Sequence, residues 1–336
     1  MILGDASWDD EVSQLCGGTP DVYFSAAYHH LHEIAGDGAA TASIVGDGDG
    51  RLIVPGLRVP IPGTDCWDLQ SCNGYGGPLA HARAVPSTLG PAWKEWAEES
   101  RSTGGVAGFF RLHPLLDNAR WLPADAVVRD DRSTVYVPLA AGLKSVWAQA
   151  DSRHRNMVNR GRRSGPPPEW NSEFAWESFP HLYCTAMERV NAPARLRFGI
   201  PHFSFLRSMP GVDLVSVTDD AGVVAAAIFL FGARWAHYHL AARRPDAANY
   251  VGNVILQAGI ERACMKGLDG LHLGGGVTSA DEDPLLRFKR SLGGELRPFR
   301  IARVVCNQSV FERLATQAGP GASDWLLPYR RPSGGG

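Results

Sequence analysis

YHLAARRPDAANYVGNVILQAGIERACMKGLDGLHLGGGVTSADEDPLLRFKRSLGGELRPFR, residues 238–300, decides how this chain is built. It reads as a strand, YHLA, then a helix opening near Asn249, then a short strand running into Gly274, Gly275 and Gly276, then the helical LLRFKR ahead of a Gly-Gly stop. Within the long helix, Val251, Val254, Ile255 and Ala258 follow the i, i+3, i+4, i+7 spacing of one apolar face, and Gly267 closes it as helix C-termini commonly close. A glycine-ended strand followed by a helix carrying Phe288 and Lys289 defines a cleft with a fixed cation at its mouth.

The same order occurs earlier in the chain. ATASIVGDGDGRLIVPGLRVPI and WDLQSC make a β-meander around an Asp-Gly turn. PSTLGPAWKEWAEESRSTG then forms a helix that also ends at glycine, and VAGFFRL a further strand. In the second half VDLVSVTDDAGVVAAAIFLF and RWAHYHLA form the meander that precedes the segment quoted above. The pattern fits one α+β unit used twice, and it also fits two unrelated α+β domains, because hairpin-then-helix is common.

Composition sets the outer limits. The 336 residues, 44% hydrophobic and 20% charged, suffice for about two domains of usual size. No apolar run reaches the length of a membrane span, and MILGDASWDDEV lacks the basic-then-apolar character of a signal peptide, so a cytoplasmic protein without membrane insertion is expected. Cys16, Cys66, Cys72, Cys184, Cys264 and Cys306 are scattered, with no C-x-x-C pair, so reduced thiols and no metal site are expected. A net charge of −2 gives no global attraction to polyanions, and any such partner must be met by a local patch.

That patch is residues 144–163. At about 100° per residue, Val146, Trp147, Ala150, His154, Met157 and Val158 fall on one side of a helix. Arg153, Asn156, Asn159, Arg160 and Arg163 share the other. Pro166, Pro167 and Pro168 then stop the helix, because proline neither donates an amide hydrogen nor continues the turn, and a hinge between the halves is expected there. Such an arginine face either holds phosphates through forked guanidinium contacts or is a solvated surface.

Five segments, NGYGGPLA (73–80), GFFRLHPLLDN (108–118), SRHRNMVNRGRRSG (152–165), YHLAARRPDAANYVGNVILQ (238–257) and LHLGGGVTSADEDPLLRFKRSLGG (271–294), resemble the Fem-type (FemABX) aminoacyl-tRNA-dependent peptidyltransferases in order and spacing. The resemblance covers roughly residues 40–305. It implies an α+β chain of two tandem GNAT-like domains, mixed and mostly antiparallel sheets flanked by helices, with a cleft between them. The first domain would be 1–145, completed by about 305–330, where RIARVVCNQSVFERLATQ returns. The second would be 146–304, opening with the basic helix 144–163.

The resemblance further implies transfer of an amino acid from aminoacyl-tRNA to a primary amine of a peptide-like acceptor, a cell-wall precursor or a peptide natural product. No other cofactor and no metal are implied, and the chain is expected to act as a monomer. Lys289 matches the lysine of the family's FK pair and would steady the developing oxyanion or the terminal ribose-phosphate, with Phe288 walling the cleft. Arg153, Arg155, Arg160, Arg162 and Arg163 would meet the tRNA.

The remaining candidates come from the residues themselves. His237 and His239 lie two apart on one strand and should share a face, with Tyr238 opposite, as base candidates or as structural histidines. Asn253 is placed to bind a substrate carbonyl or to pack the helix, and Tyr75 sits in a glycine loop that lets backbone approach a ligand. Arg111, His113 and Asn118 belong where the family's first half faces its acceptor.

Two other functions fit the same fold. An acyl-CoA-dependent N-acyltransferase usually carries a Q/R-x-x-G-x-G/A loop to cradle the pyrophosphate, whereas ARRPDAANYVGNV offers Gly252 alone. A non-catalytic RNA- or protein-binding module is the third reading. No long heptad-patterned arm interrupts the second half, so the chain resembles the compact family members.

Overall fold

Two sequence signals, period-2 apolar runs and glycine-terminated helices, recur as two compact units. Residues 1–131 with 299–336 form the first, and 132–298 the second. The computed structural model describes residues 5–81, 83–319, 321–322 and 324–331.

In the first unit, helices α1 (Asp5–Cys16) and α2 (Ala26–Ile34) precede strands β1 (Ala39–Val45), β2 (Leu52–Pro60), β3 (Trp67–Gln70) and the short β4 (Leu79–Ala80). β1, β2 and β3 pair antiparallel in sequence. Helix α3 (Gly90–Ser102) then carries the chain to β5 (Gly105–Arg111), which runs parallel to β3, Gln70 opposite Phe109. Trp93, Trp96 and Phe110 are buried beneath α3, with Trp93 and Trp96 edge to face at 5.4 Å.

Strand β6 (Val127–Pro138) crosses into the second unit, where α4 (Leu143–Gln149), α5 (Ser152–Ser164), β7 (Glu169–Trp170), α6 (Glu173–Arg189) and α7 (Ile200–Ser208) follow. The antiparallel ladder is β7–β8–β9–β10, with β8 at Val212–Asp219, β9 at Gly222–Phe231 and β10 at Trp235–Arg243. Helix α8 (Val251–Met265) leads to β11 (Gly270–Gly275), parallel to β10, and α9 (Pro284–Arg290) follows. Strand β12 (Glu295–Val305) then returns to the first unit, where Ile301–Val305 pair antiparallel with β5, and α10 (Gln308–Gln317) follows.

The two units therefore share one topology: an antiparallel meander, a helix, a parallel strand, and an antiparallel closing strand that belongs to a segment along which the chain passes from one unit to the other. β12 closes the first against β5, and Thr134–Pro138 of β6 close the second against β11. This sharing of strands explains two departures from the sequence reading. The division falls within β6, after Asp131, rather than at 145, because the second half of β6 hydrogen-bonds to β11. The three prolines lie inside the second unit, not at a hinge, and lead into β7, where Glu169 pairs with Ser216.

The expected helix 144–163 is two helices, α4 and α5, broken at Ala150 and Asp151. Ala150 caps α4 in an extended conformation, and the Asp151 amide donates to Ser291 O instead of continuing the helix. Arg155 folds back onto the exposed carbonyls of α4, bonding Trp147 O, Ala148 O and Ala150 O, which favours a cation there.

In the second unit β9 is buried along nearly its whole length, so it shows a continuous apolar run instead of alternation. Its Phe229 ring fills the space above Gly259 of α8, where a Cβ would come within 2.3 Å. Gly259→Ala should accordingly destabilise by about 1–3 kcal/mol through overpacking. Urea unfolding of the variant against the parent measures this, and an unchanged midpoint would refute the close contact.

Candidate functional site

The parallel pairing of β10 with β11 is short. It holds for Trp235, Ala236 and His237 against Gly270, Leu271 and His272, and ends there. Both strands bulge where they part: β10 shifts register against β9 between Tyr238 and Leu240, and β11 shifts against β6 between His272 and Gly274. Gly274 sits at φ +71°, a left-handed conformation that glycine adopts without Cβ strain. Beyond His237 and His272 the two strands are held by their outer neighbours alone, which opens a fork at their carboxyl ends. In α/β folds ligands bind at such ends.

Lys289 occupies this fork. Its Nζ donates to Gly275 O of β11 at 2.7 Å and lies 5.7 Å from the centre of the Tyr238 ring of β10, so the ammonium bridges the two prongs. The side chain is 6% exposed, and burial brings its pKa from 10.5 down to about 8, against an opposing pull from the Asp283 carboxylate. Its neighbour Tyr238 is raised to about 12, chiefly by burial. An ammonium has three donors, and Gly275 O takes one of them.

Phe288 packs over the first turn of α8, where a Cβ on Gly252 would meet its ring at 3.6 Å, and joins Tyr238 and Tyr250 against the apolar core. The floor of the fork is His237 and His272, both buried, with rings 5.6 Å apart. His272 has a defined role. Thr134 Oγ1 gives its single proton to Arg297 O at 3.1 Å, so His272 Nε2 donates to that oxygen at 3.0 Å. The bulge at His239 breaks the alternation that would have put His237 and His239 on one face.

Asn253 is buried against α5. Its Nδ2 donates to His154 Nδ1 at 2.9 Å, which leaves His154 Nε2 to donate to Gln257 Oε1 at 3.2 Å. Gln257 continues to Glu261 and Glu261 to Arg162, a polar seam along the α5–α8 contact. Burial lowers the His154 pKa, in keeping with the neutral ring this seam requires. Of the five arginines, Arg155 is spent on α4 and Arg162 on Glu261, while Arg153, Arg160 and Arg163 are exposed, Arg160 above the Tyr250 ring at 5.8 Å.

Tyr75, Arg111, His113 and Asn118 converge in the first unit. Tyr75 stands edge-on to Tyr23 at 5.2 Å, to His113 at 5.8 Å and to Phe299 at 5.3 Å. Asn118 accepts from the His113 amide and donates to Gly76 O and Pro78 O, fixing the glycine loop. Arg111 donates to Ser71 O and lies over Phe109. These residues belong to the first unit and those of the Lys289 fork to the second.

Sequence reasoning passed over His272, Thr134 and Asp283. Asp283 carried a readable signal, an Asp immediately before a proline at a helix start. The other two became visible only through strand register.

Residues 203–290, which run from α7 to α9, match the family described as acetyltransferase (GNAT) domain. The fold is similar to that of FemX, at TM-score 0.71 and 12% identity over 93% of this chain and 98% of that one. It is also similar to the C-terminal domain of a protein described as a lysylphosphatidylglycerol synthetase from Agrobacterium fabrum, at TM-score 0.59 and 16% identity over 93% and 94%. A tandem GNAT protein from the clavulanic acid biosynthesis pathway follows, at TM-score 0.50 and 11% identity over 90% and 95%. No curated protein sequence matches the chain. The chain thus has a double GNAT-like fold. Within that class the fold is most simply described as similar to that of FemX.

Among the described residues, no helix is long and apolar enough to cross a membrane.

Proposed function

We propose that this chain is an acyltransferase that moves an amino acid from aminoacyl-tRNA to a primary amine of a peptide-like acceptor. The observation that carries the reading is the buried Lys289 ammonium bridging the open fork of β10 and β11. The acceptor amine attacks the ester carbonyl, a C–N bond forms, and the carbonyl oxygen becomes an oxyanion. As the C–O bond to the ribose breaks, the proton lost by the amine ends on the leaving hydroxyl, through substrate or water. An activated ester needs no covalent enzyme intermediate, so holding the amine in place and steadying the oxyanion supply most of the rate. Lys289 is suited to the second task because an ammonium shielded from water interacts more strongly with a nascent anion than one in solvent.

The donor is favoured as tRNA over CoA by the start of α8. The turn before it lacks the glycines of a pyrophosphate cradle, and Phe288 covers Gly252 in its first turn. The exposed Arg153, Arg160 and Arg163 supply a phosphate-binding face in the same unit.

Incubation with a pool of radiolabelled aminoacyl-tRNAs and candidate amines tests this. Product that disappears with RNase supports the reading, and transfer from acyl-CoA in its place defeats it. Replacing Arg153, Arg160 and Arg163 together by Ala should weaken tRNA binding and flatten its salt dependence by about 2–3 in the slope of log K against log salt. Filter binding across a salt series measures that slope, and an unaltered slope would remove these arginines from the interface.

A further inference from the structure

We propose that Asp283 is the positioning residue of the Lys289 site, a single carboxylate that orders both the strand end receiving the ammonium and the helix carrying it, and keeps that buried group charged. Its Oδ1 accepts from the amides of Leu285 at 2.9 Å and Leu286 at 3.0 Å, which caps α9, the helix of Phe288 and Lys289. Its Oδ2 accepts from the Thr278 amide at 2.9 Å and the Thr278 hydroxyl at 3.0 Å, which pins the loop that leaves Gly275. The fit is close enough that a Cβ on Gly276 would fall 2.4 Å from Oδ1.

Both partners of the Lys289–Gly275 bond are thus held by one side chain that itself touches neither. Asp283 is 3% exposed, and its hydrogen bonds, that of the Thr278 amide foremost, hold its carboxyl well below the usual range, so the charge is permanent at any working pH. The groups around Lys289 leave it little other support. Gly275 offers a neutral carbonyl, β10 the uncharged Tyr238, and β6 the cation Arg132, whose guanidinium donates to Val277 O on the same loop. The Asp283 charge is what opposes the loss of the Lys289 proton to burial.

This inference rests on the transfer reading only for its kinetic arm. The test measures the Lys289 titration midpoint by NMR on lysine-labelled protein, assigned with Lys289→Met, beside the pH profile of aminoacyl transfer. Asp283→Asn keeps an acceptor for the α9 cap and removes the charge. The Lys289 midpoint should fall from about 8 by about one pH unit or more, and the alkaline limb of transfer should follow it. Asp283→Ser, a second uncharged cap, should do the same should the Asn variant not fold.

Thr278→Val loosens the loop and keeps the charge, so it should slow transfer and leave the midpoint in place. A midpoint unchanged in the Asn and Ser variants, or moved as far by Thr278→Val, overturns the assignment. A midpoint that falls without any movement of the transfer profile leaves Asp283 as assigned and removes Lys289 from the reaction.

Discussion

Replacing Lys289 with Met should lower aminoacyl transfer by about 10²–10³-fold, the usual cost of removing one donor to a developing oxyanion. The fold should survive. Methionine is unbranched, flexible and close to lysine in length, and it relieves the burial of a charge. An ammonium whose pKa is brought from 10.5 to about 8 costs the folded state about 3 kcal/mol while protonated. Against that relief, the variant leaves Gly275 O without its partner, at about 1–3 kcal/mol. Net stability near neutral pH should therefore be unchanged or slightly higher.

The pH dependence gives a sharper signature. The folded chain releases the Lys289 proton at a lower pH than the unfolded chain does. Its unfavourable contribution is complete below about pH 8 and is relieved as pH rises toward 10.5. Urea unfolding of parent and variant across this range should show a rise in the parent that the Met variant lacks. Transfer runs the other way: it needs the ammonium and should decline above about pH 8. Lys289→Arg should keep part of the rate and lose that decline. A parent whose activity climbs through pH 8 to a plateau would assign Lys289 as a base instead.

The second large effect belongs to the C-terminal segment. Asp68, on β3 of the first unit, is fully buried and receives the Tyr329 hydroxyl at 2.9 Å and Arg330 Nε at 2.5 Å. Arg330 also donates to Val59 O and Pro60 O, so it fastens residues 328–330 to two strands. Burial of the carboxyl holds the Asp68 pKa above its ordinary value even beside that guanidinium. Arg330→Met removes the counter-charge and should destabilise by about 3–5 kcal/mol, the penalty of an uncompensated buried ion.

The deficit should shrink as pH falls, because a protonated Asp68 needs no cation. Joining Asp68→Asn to Arg330→Met should recover much of the loss, and the double-mutant cycle in urea measures it. Equal unfolding midpoints for Arg330→Met and the parent would mean the ion pair contributes nothing.

Much of this chain could be read from residue order. The antiparallel meanders, the helices closed by Gly104 and Gly267, and the strand ending in glycine are set by local chemistry: side-chain alternation, apolar spacing, and the left-handed conformation only glycine adopts cheaply. Order alone also placed Phe288 and Lys289 on a helix just after that strand. What it could not carry was pairing between segments more than a hundred residues apart. β6 and β12, each shared between the units and closing one of them, put the boundary inside two strands and left the prolines within the second unit.

Whether a polar side chain faces a ligand or another side chain is also a tertiary matter. Asn253 and His154 lie 99 residues apart and satisfy each other at a helix contact. Arg155 was one of five equal arginines until α4 ended six residues before it and offered its carbonyls. Local sequence determined which elements form, because propensity and periodicity act over a few residues. Register, bulges and long-range hydrogen bonds decided where those elements open into a site, because those free energies exist only when distant segments meet.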